Sequence, residues 1–428
     1  VNWTERLRGM FAATVKELDA TRLMAPVVAR WRARAAGGGA FLVIAFGKAA
    51  RPMTEALQDG LPGATWRGLV VPPEPDTAPL PPFEVIAGGH PLPTAGSLRA
   101  AERALALAAS ARRDEVVLFV VSGGGSAMLE LPADPRTTLP ELRHCYQSLV
   151  GSGADIVSLN LVRRHLSAVK GGRLALAAAE AECQETIEIS DVPEREGALV
   201  ASGPSRPDPS TPAAARAILD RYHLWPAVPA GLAELLRREQ QPKTLREGER
   251  TQTHLRFTTI ASNQLARRAL GAALGATGAL VVEDLTVDDW PYERAADHLL
   301  SRLLRLRRRH PGRVTAVLTG GELAVTLPAN PGLGGRNQQF ALACAERIRG
   351  LPITVLSAGT DGIDGNSPAA GAIVDGTTCA RARAKGLATA AFRRRFDAFS
   401  LLDALGCTVI TGPSGTNVRD LRLAVWTG

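Results

Sequence analysis

Lysine is scarce in this chain of 428 residues. Of 50 basic residues only five are lysine (Lys16, Lys48, Lys170, Lys243, Lys385), and the rest are arginine. Cysteine is equally sparse. Cys145, Cys183, Cys344, Cys379 and Cys407 lie far apart, odd in number and without a CxxC pair, which excludes a disulfide framework and a zinc cluster. Aromatic residues make up 4%, too few for the stacking platforms of single-stranded nucleic-acid binders. The strongest apolar runs, Phe41 to Phe46 and Val116 to Val121, fall far short of the ~20 residues that cross a bilayer, so no membrane partner is expected. Glycine and proline are scattered, which excludes collagen-like and coiled-coil chains. Residues 1–18 are charged and lack the apolar segment of a signal peptide, which predicts a cytoplasmic protein.

What is present describes a globular α/β chain. Hydrophobic residues make up 45% and charged residues 21%, with a net charge of +8. The length exceeds the ~250–300 residues at which single cores stop growing, so more than one domain is expected. Leu7, Met10, Phe11, Val15 and Leu18 recur at helical spacing, and Gly37 to Gly39 closes the helical opening segment. Phe41 to Phe46 is a continuous apolar strand of the kind buried in a parallel sheet. Strand, small-residue turn and helix then alternate: Val116 to Val121 before Ser122, Phe257 to Ala261 before Ser262, Val314 to Leu318 before Thr319, Ile353 to Leu356 before Ser357. This alternation predicts an α/β fold with ligands at the carboxyl ends of strands. The architecture expected is a Rossmann-like three-layer N-terminal domain with a parallel sheet over residues 1–240, followed by a smaller α/β domain over 241–428. Pro226, Pro229, Pro242 and Gly248 punctuate the region of the boundary.

The chemistry-bearing residues sit in the turns. Ser122, Gly123, Gly124, Gly125 and Ser126 follow a buried strand, where bare backbone amides and a helix start can hold an anion or simply make a tight turn. The pattern is neither Walker A nor GxGxxG. Lys48 directly follows the first buried strand, at one of the few places where the chain keeps a lysine. Lys170 is expected on a helix running from Asn160 and capped by Gly171-Gly172, with Arg163, Arg164 and Ser167 on its polar half. Asp191 closes the strand Glu185 to Ile189. Asp361 and Asp364 form a DGxDG turn, which suits a Mg²⁺ site or a turn alone. Arg336 opens a helix, where it opposes the helix dipole, and is better explained as a clamp on carboxylate or phosphate. His90 reads as a turn residue rather than a ligand.

Together these turns resemble one family, the class II glycerate kinases whose C-terminal half is the MOFRL domain. The carrying segments are FGKAA (46–50), GGHPLP (88–93), SGGGSAML (122–129), LNLVRRHLSAVKGGRLA (159–175), SDV (190–192), SGPSRPDPST (202–211), ASNQLA (261–266), LTGGELAVTL (318–327), GLGGRNQQFALA (332–343), AGTDGIDGNSPAAGAIVD (358–375) and TGPSGTNVRDL (411–421), in the family's order over nearly the whole chain. The resemblance implies ATP-dependent phosphorylation of D-glycerate at its 2-hydroxyl, with a divalent cation such as Mg²⁺ and an active site in the cleft between two α/β domains. It implies catalytic roles for Lys48 and Arg336; of the carboxylates Asp191, Asp361 and Asp364, which are expected to hold the cation or to orient the attacking hydroxyl, Asp191 is taken as catalytic. Binding roles are expected for Ser122 to Ser126, Lys170, Asn263, Gly320, Gly321 and Asn337, and metal ligation for Asp361 and Asp364. The sequence departs from the family where Pro193-Glu194-Arg195-Glu196 follows SDV. A monomer and a homodimer both stay open.

Two rivals fit less well. An NAD(P)H-dependent hydroxypyruvate reductase needs a dinucleotide fingerprint that the chain lacks. A basic nucleic-acid binder needs clustered cations interleaved with aromatics, whereas the arginines here are dispersed among acids.

Overall fold

The structure is a computed structural model that describes residues 2–193, 199–248 and 254–428. Residues 194–196, where the sequence departs from the family, and residues 249–250 of the expected boundary lie outside these. The chain divides into two compact units, Leu23–Ile260 and Val1–Arg22 with Ala261–Gly428.

The first unit is built on six strands: β1 (Ala40–Phe46), β2 (Thr65–Val71), β3 (Glu84–Val85), β4 (Glu115–Val121), β5 (Cys183–Ile189) and β6 (His254–Ala261), in the order β3-β2-β1-β4-β5-β6. The pairs β2–β3, β1–β2, β1–β4 and β4–β5 are parallel. All of β4 is buried, as is β1 from Phe41 on, which explains their unbroken apolar sequence. Leu42, Ile44 and Phe46 share a core with Ala100, Ala101 and Ala104 of the helix Ala95–Ala109. On the opposite face Phe41 meets Trp31 edge-on, with ring centroids 5.9 Å apart. Helices thus cover both faces, and the three-layer parallel architecture expected for this region is present.

The second unit carries β7 (Leu280–Glu283), β8 (Thr315–Gly321), β9 (Ile353–Gly359), β10 (Gly371–Asp375), β11 (Thr408–Val409) and β12 (Asp420–Trp426), in the order β11-β10-β9-β12-β8-β7. This sheet is mixed. The last strand, β12, runs antiparallel between β8 and β9, while β7 and β8 are parallel. The helix Arg336–Arg347 is buried along most of its length and packs on β9 and β10. The helix Tyr292–Arg309 ends on three arginines, where cations favour the helix C-terminus.

The units divide elsewhere than at 240/241. Strand β6 extends the first sheet beside β5, so residues up to 260 stay with that unit. The opening helix Trp3–Glu17 packs on the helix Asn263–Gly275 and on β9 and β10, which places it in the second unit.

Candidate active site

In the first sheet the strand order reverses between β1 and β4, and that reversal opens a crevice at their carboxyl ends. The two loops leaving these ends are tied together. The Lys48 amide donates to the Gly123 carbonyl at 2.9 Å, and the Ala49 amide to Ser122 Oγ at 2.9 Å. Gly47 adopts φ +115°, and a Cβ there would come within 2.4 Å of Ser122 Oγ, so the approach requires glycine. The side chain of Lys48 is exposed beyond this junction. A Cβ on Gly123 would lie 2.2 Å from Asp191 Oδ2, so the Asp191 carboxylate rests against the glycine turn. A Cβ on Gly124 would fall 3.0 Å from His90 Cδ2 and 3.4 Å from Lys48 Cγ. Lys48, the Ser122–Ser126 loop and Asp191 are therefore brought together, and His90, read from sequence as a turn residue, joins them. Partial burial first, and the Lys48 cation second, push the His90 pKa down, which favours a neutral imidazole.

His90, Gly124, Ser126 and Asp191 line a cavity of about 330 Å³ within this unit. The Ser126 and Ser202 hydroxyl oxygens lie 3.0 Å apart on its wall. Ala201 and Ser202 hold φ of 52° and 61°, a left-handed backbone that is costly away from glycine. The sequence placed this segment, SGPSRPDPST (202–211), among the motifs that carry the resemblance but assigned it no role at the site.

Lys170 has a different place from the one expected. The helix that starts at Ile156 stops at Leu166, because the Ala168 amide donates to Leu131 O and the Leu166 carbonyl accepts from Ala133 N. Gly172 begins a further short helix instead of ending this one. Lys170 is fully buried. Its Nζ donates to Glu130 Oε2 at 2.6 Å, Ser126 O at 2.8 Å and Leu129 O at 3.2 Å. All three ammonium donors are thus spent on the protein, and Lys170 holds the glycine loop from beneath without reaching a ligand. Glu130 also accepts from Tyr146 Oη (2.5 Å) and Ser167 Oγ (2.7 Å). Arg164, expected on a solvated face, is buried and paired with Asp208 at 3.0 Å.

In the second unit Arg336 is gripped by Asp420. Its Nε donates to Oδ2 at 2.7 Å and its Nη2 to Oδ1 at 2.9 Å, and Glu322 Oε1 stands 3.1 Å from Nη2. Burial works against the cation, but Asp420 and then Glu322 outweigh it and raise the pKa of Arg336. Nη1 has no partner among the described residues, and the side chain is 30% exposed, so one edge of the guanidinium stays open to an anion. Asp420 is buried at the start of β12, opposite Gly321 and Gly359. A Cβ on Gly359 would lie 3.3 Å from Asp420 Oδ1. Neither Asp420 nor Glu322 was marked by the sequence reading. The signal was available in the short polar break before LRLAVW.

Several expected binding residues build this unit from inside. Asn263 is buried, donates to Val418 O and Asp420 O at 2.8 and 3.0 Å, and accepts from Arg267 Nη1 at 2.7 Å. A Cβ on Gly320 would come within 1.7 Å of Asn263 Oδ1, and one on Gly321 within 2.3 Å of Asp288 Oδ1, so these glycines make room for side chains of the protein. Asn337 is buried and accepts from Ser357 Oγ at 2.7 Å.

The metal reading of Asp364 does not fit the geometry. Asp364 is buried, and its two oxygens accept from the amides and side chains of Asn337 and Gln338 at 2.9–3.3 Å, capping the helix Arg336–Arg347. Burial pushes its pKa up to about 6. Asp361 Oδ1 accepts from the Ile363 amide at 3.2 Å in the same turn. No group of three His, Cys, Asp or Glu side chains among the described residues could hold a metal ion. A Mg²⁺ ion carried on nucleotide phosphates needs only one or two carboxylates, and Asp364 has no free oxygen lone pair facing solvent to supply one.

Comparison with known proteins gives a consistent picture. Residues 6–237 match the family described as a domain of unknown function (DUF4147), and residues 315–420 match the MOFRL family. The chain is 33% identical over 389 residues to the D-glycerate 2-kinase of Thermotoga maritima, covering 90% of each chain. It is 33% identical over 391 residues to the glycerate 2-kinase of Pyrococcus horikoshii, covering 91% of this chain and 88% of the relative. A protein of Agrobacterium vitis, provisionally named a hydroxypyruvate reductase, is 35% identical over 390 residues, covering 90% and 86%. The crystal structure of a Thermotoga maritima glycerate kinase superposes with a TM-score of 0.85 at 29% identity, covering 99% of both chains.

Proposed function

The chain belongs to the glycerate kinases that carry a MOFRL domain, and on that premise we propose that it transfers the γ-phosphoryl group of ATP to the 2-hydroxyl of D-glycerate, releasing ADP and 2-phosphoglycerate. The observation that carries this reading is the junction at the ends of β1 and β4. An exposed lysine, a glycine turn bare enough for phosphate oxygens and a carboxylate meet there beside a cavity.

The residues divide the work as follows. The oxygen of the 2-hydroxyl forms the new bond to the γ-phosphorus while the bond to the bridging oxygen of ADP breaks. Asp191 orients that hydroxyl and takes its proton. Lys48 meets the negative charge on the transferring group as a mobile point cation. In the second unit Arg336, held in aim by Asp420, has an open Nη1 edge suited to an anion. The 122–126 backbone contacts further oxygens. Such fixed charge is the main resource of phosphoryl transfer, which asks for positioning more than covalent help. A divalent cation bound to the nucleotide would add charge neutralisation, and no step above depends on it.

The test pairs two assays on one preparation. ADP release with D-glycerate and ATP is expected, with no NADH or NADPH oxidation in the presence of hydroxypyruvate. Reductase turnover without ADP release would overturn the proposal.

A further inference from the structure

Most arginines in the active-site cavity's surroundings are neutralised: Arg164 by Asp208, and Arg206 by Glu188. Arg163 is different. It lines the 330 Å³ cavity together with His90, Ser126 and Asp191, and it forms no ion pair among the described residues. Its single side-chain hydrogen bond, from Nη1 to Asn160 Oδ1, is 3.5 Å long, at the limit of such a contact. Its Nε is shielded from solvent and has no partner. The guanidinium is held in place by its face, which lies 4.8 Å from the centroid of the Tyr146 ring. Tyr146 is in turn fixed by its hydroxyl, which donates to Glu130 in the network that supports the glycine loop.

An arginine kept rigid, partly dried and without a counter-ion among the described residues is a costly arrangement unless an anion completes it. The other cationic candidate on the cavity wall, His90, is driven toward its neutral form by burial and by Lys48. Among the described residues lining the cavity, Arg163 is therefore the permanent positive charge, presented as a planar fork on the same wall as the Asp191 carboxylate. A planar carboxylate matches that fork with two parallel hydrogen bonds.

We infer that Arg163 is the anchor for the carboxylate of the hydroxy-acid substrate, and the residue by which the enzyme selects acids over neutral polyols. The inference rests on the proposed glycerate kinase reaction and goes one step further, assigning the substrate's charged end to one side chain. The competing source of anionic oxygens in the same cavity is the nucleotide, so the test must separate the two.

The experiment measures steady-state kinetics of the wild type, Arg163→Ala and Arg163→Lys, varying D-glycerate and ATP separately, with the neutral methyl ester of glycerate as a third substrate. Loss of a charge-assisted bidentate pair is expected to raise the KM for glycerate by about 10²-fold in Arg163→Ala. Arg163→Lys, which keeps the charge without the fork, should recover only part of that loss. The KM for ATP and the turnover of the neutral ester should stay within about twofold of wild type, a range small against the expected effect. An unchanged glycerate KM in the folded Ala variant, or a rise confined to ATP, would overturn the assignment. Matching thermal unfolding of the Lys variant and the wild type guards against a merely structural effect through Tyr146. Failure of the wild type itself to phosphorylate glycerate would sink the proposed function instead, so the two failures are distinguishable.

Discussion

At the scale of single residues, lysine usage was the most useful signal in the sequence. Lys48 stands where a compact, mobile cation is wanted, exposed at the end of a buried strand and hydrogen-bonded through its backbone to the glycine turn. Lys48→Ala should lower kcat by about 10²-fold or more, measured with saturating substrates, as for loss of other preorganised charge. Near-normal turnover in that folded variant would remove the role. Lys170 carried the same signal for another reason, because a buried point charge with three donors suits three inward acceptors better than a planar fork does. Residue type alone could not separate these cases, since burial decides between them. Gly123→Ala is a sharper probe of the turn. Its new methyl would meet the Asp191 carboxylate, whose Oδ2 is only 2.2 Å from the position it must occupy, so activity should fall while the sheet below stays intact by circular dichroism.

At the scale of elements, the buried strands were legible because both faces of the parallel sheet are covered and the apolar run is unbroken. The helix after Asn160 was misread from Leu166 onward. Its helical periodicity continues past the point where a β-bridge between Pro132 and Ser167, hydrogen-bonded through Leu131 and Ala133, takes over the backbone, and such tertiary competition leaves no mark in spacing. Strand β12 was missed because its first residues look like a polar loop. Asp420 and Arg422 are buried there as an ion pair with Arg336 and are exceptions to apolar strand patterning. The Lys170–Glu130 pair gives the element-scale test. Lys170→Met leaves the Glu130 carboxylate buried without its cation and should cost about 3–5 kcal/mol in urea unfolding of the first unit. Combining it with Glu130→Gln should recover much of the loss, because the charge is gone, Ser167 can still donate to the amide oxygen and the Tyr146 hydroxyl can turn to accept from the amide nitrogen.

At the scale of the whole molecule, the order of motifs revealed two α/β units, but not that the opening helix belongs with the C-terminal one. That grouping depends on contacts between residues hundreds of positions apart. The basic excess is distributed, with many arginines paired to surface acids, and it singles out no region for a polyanion. Its cost appears instead in pH dependence. His165 is buried beside Asp208, Arg164 and Arg173, with Nδ1 unpartnered; burial, opposed by Asp208 and assisted by the arginines, lowers its pKa to about 4. Between pH 6.5 and about 4 the unfolded chain therefore binds the proton that the folded chain refuses, so stability falls as pH falls through this window. The unfolding temperature should drop on acidification from pH 7 to 4.5, and His165→Gln should flatten that dependence.

The central claim is the transfer of phosphate to the 2-hydroxyl of D-glycerate, and ³¹P NMR of the product formed from D-glycerate and ATP tests it most directly. Phosphorus on the 2-oxygen neighbours a single methine proton and should appear as a doublet in the proton-coupled spectrum. A triplet, from coupling to the methylene protons of the 3-phosphate, or the absence of any phosphoglycerate, would contradict the account.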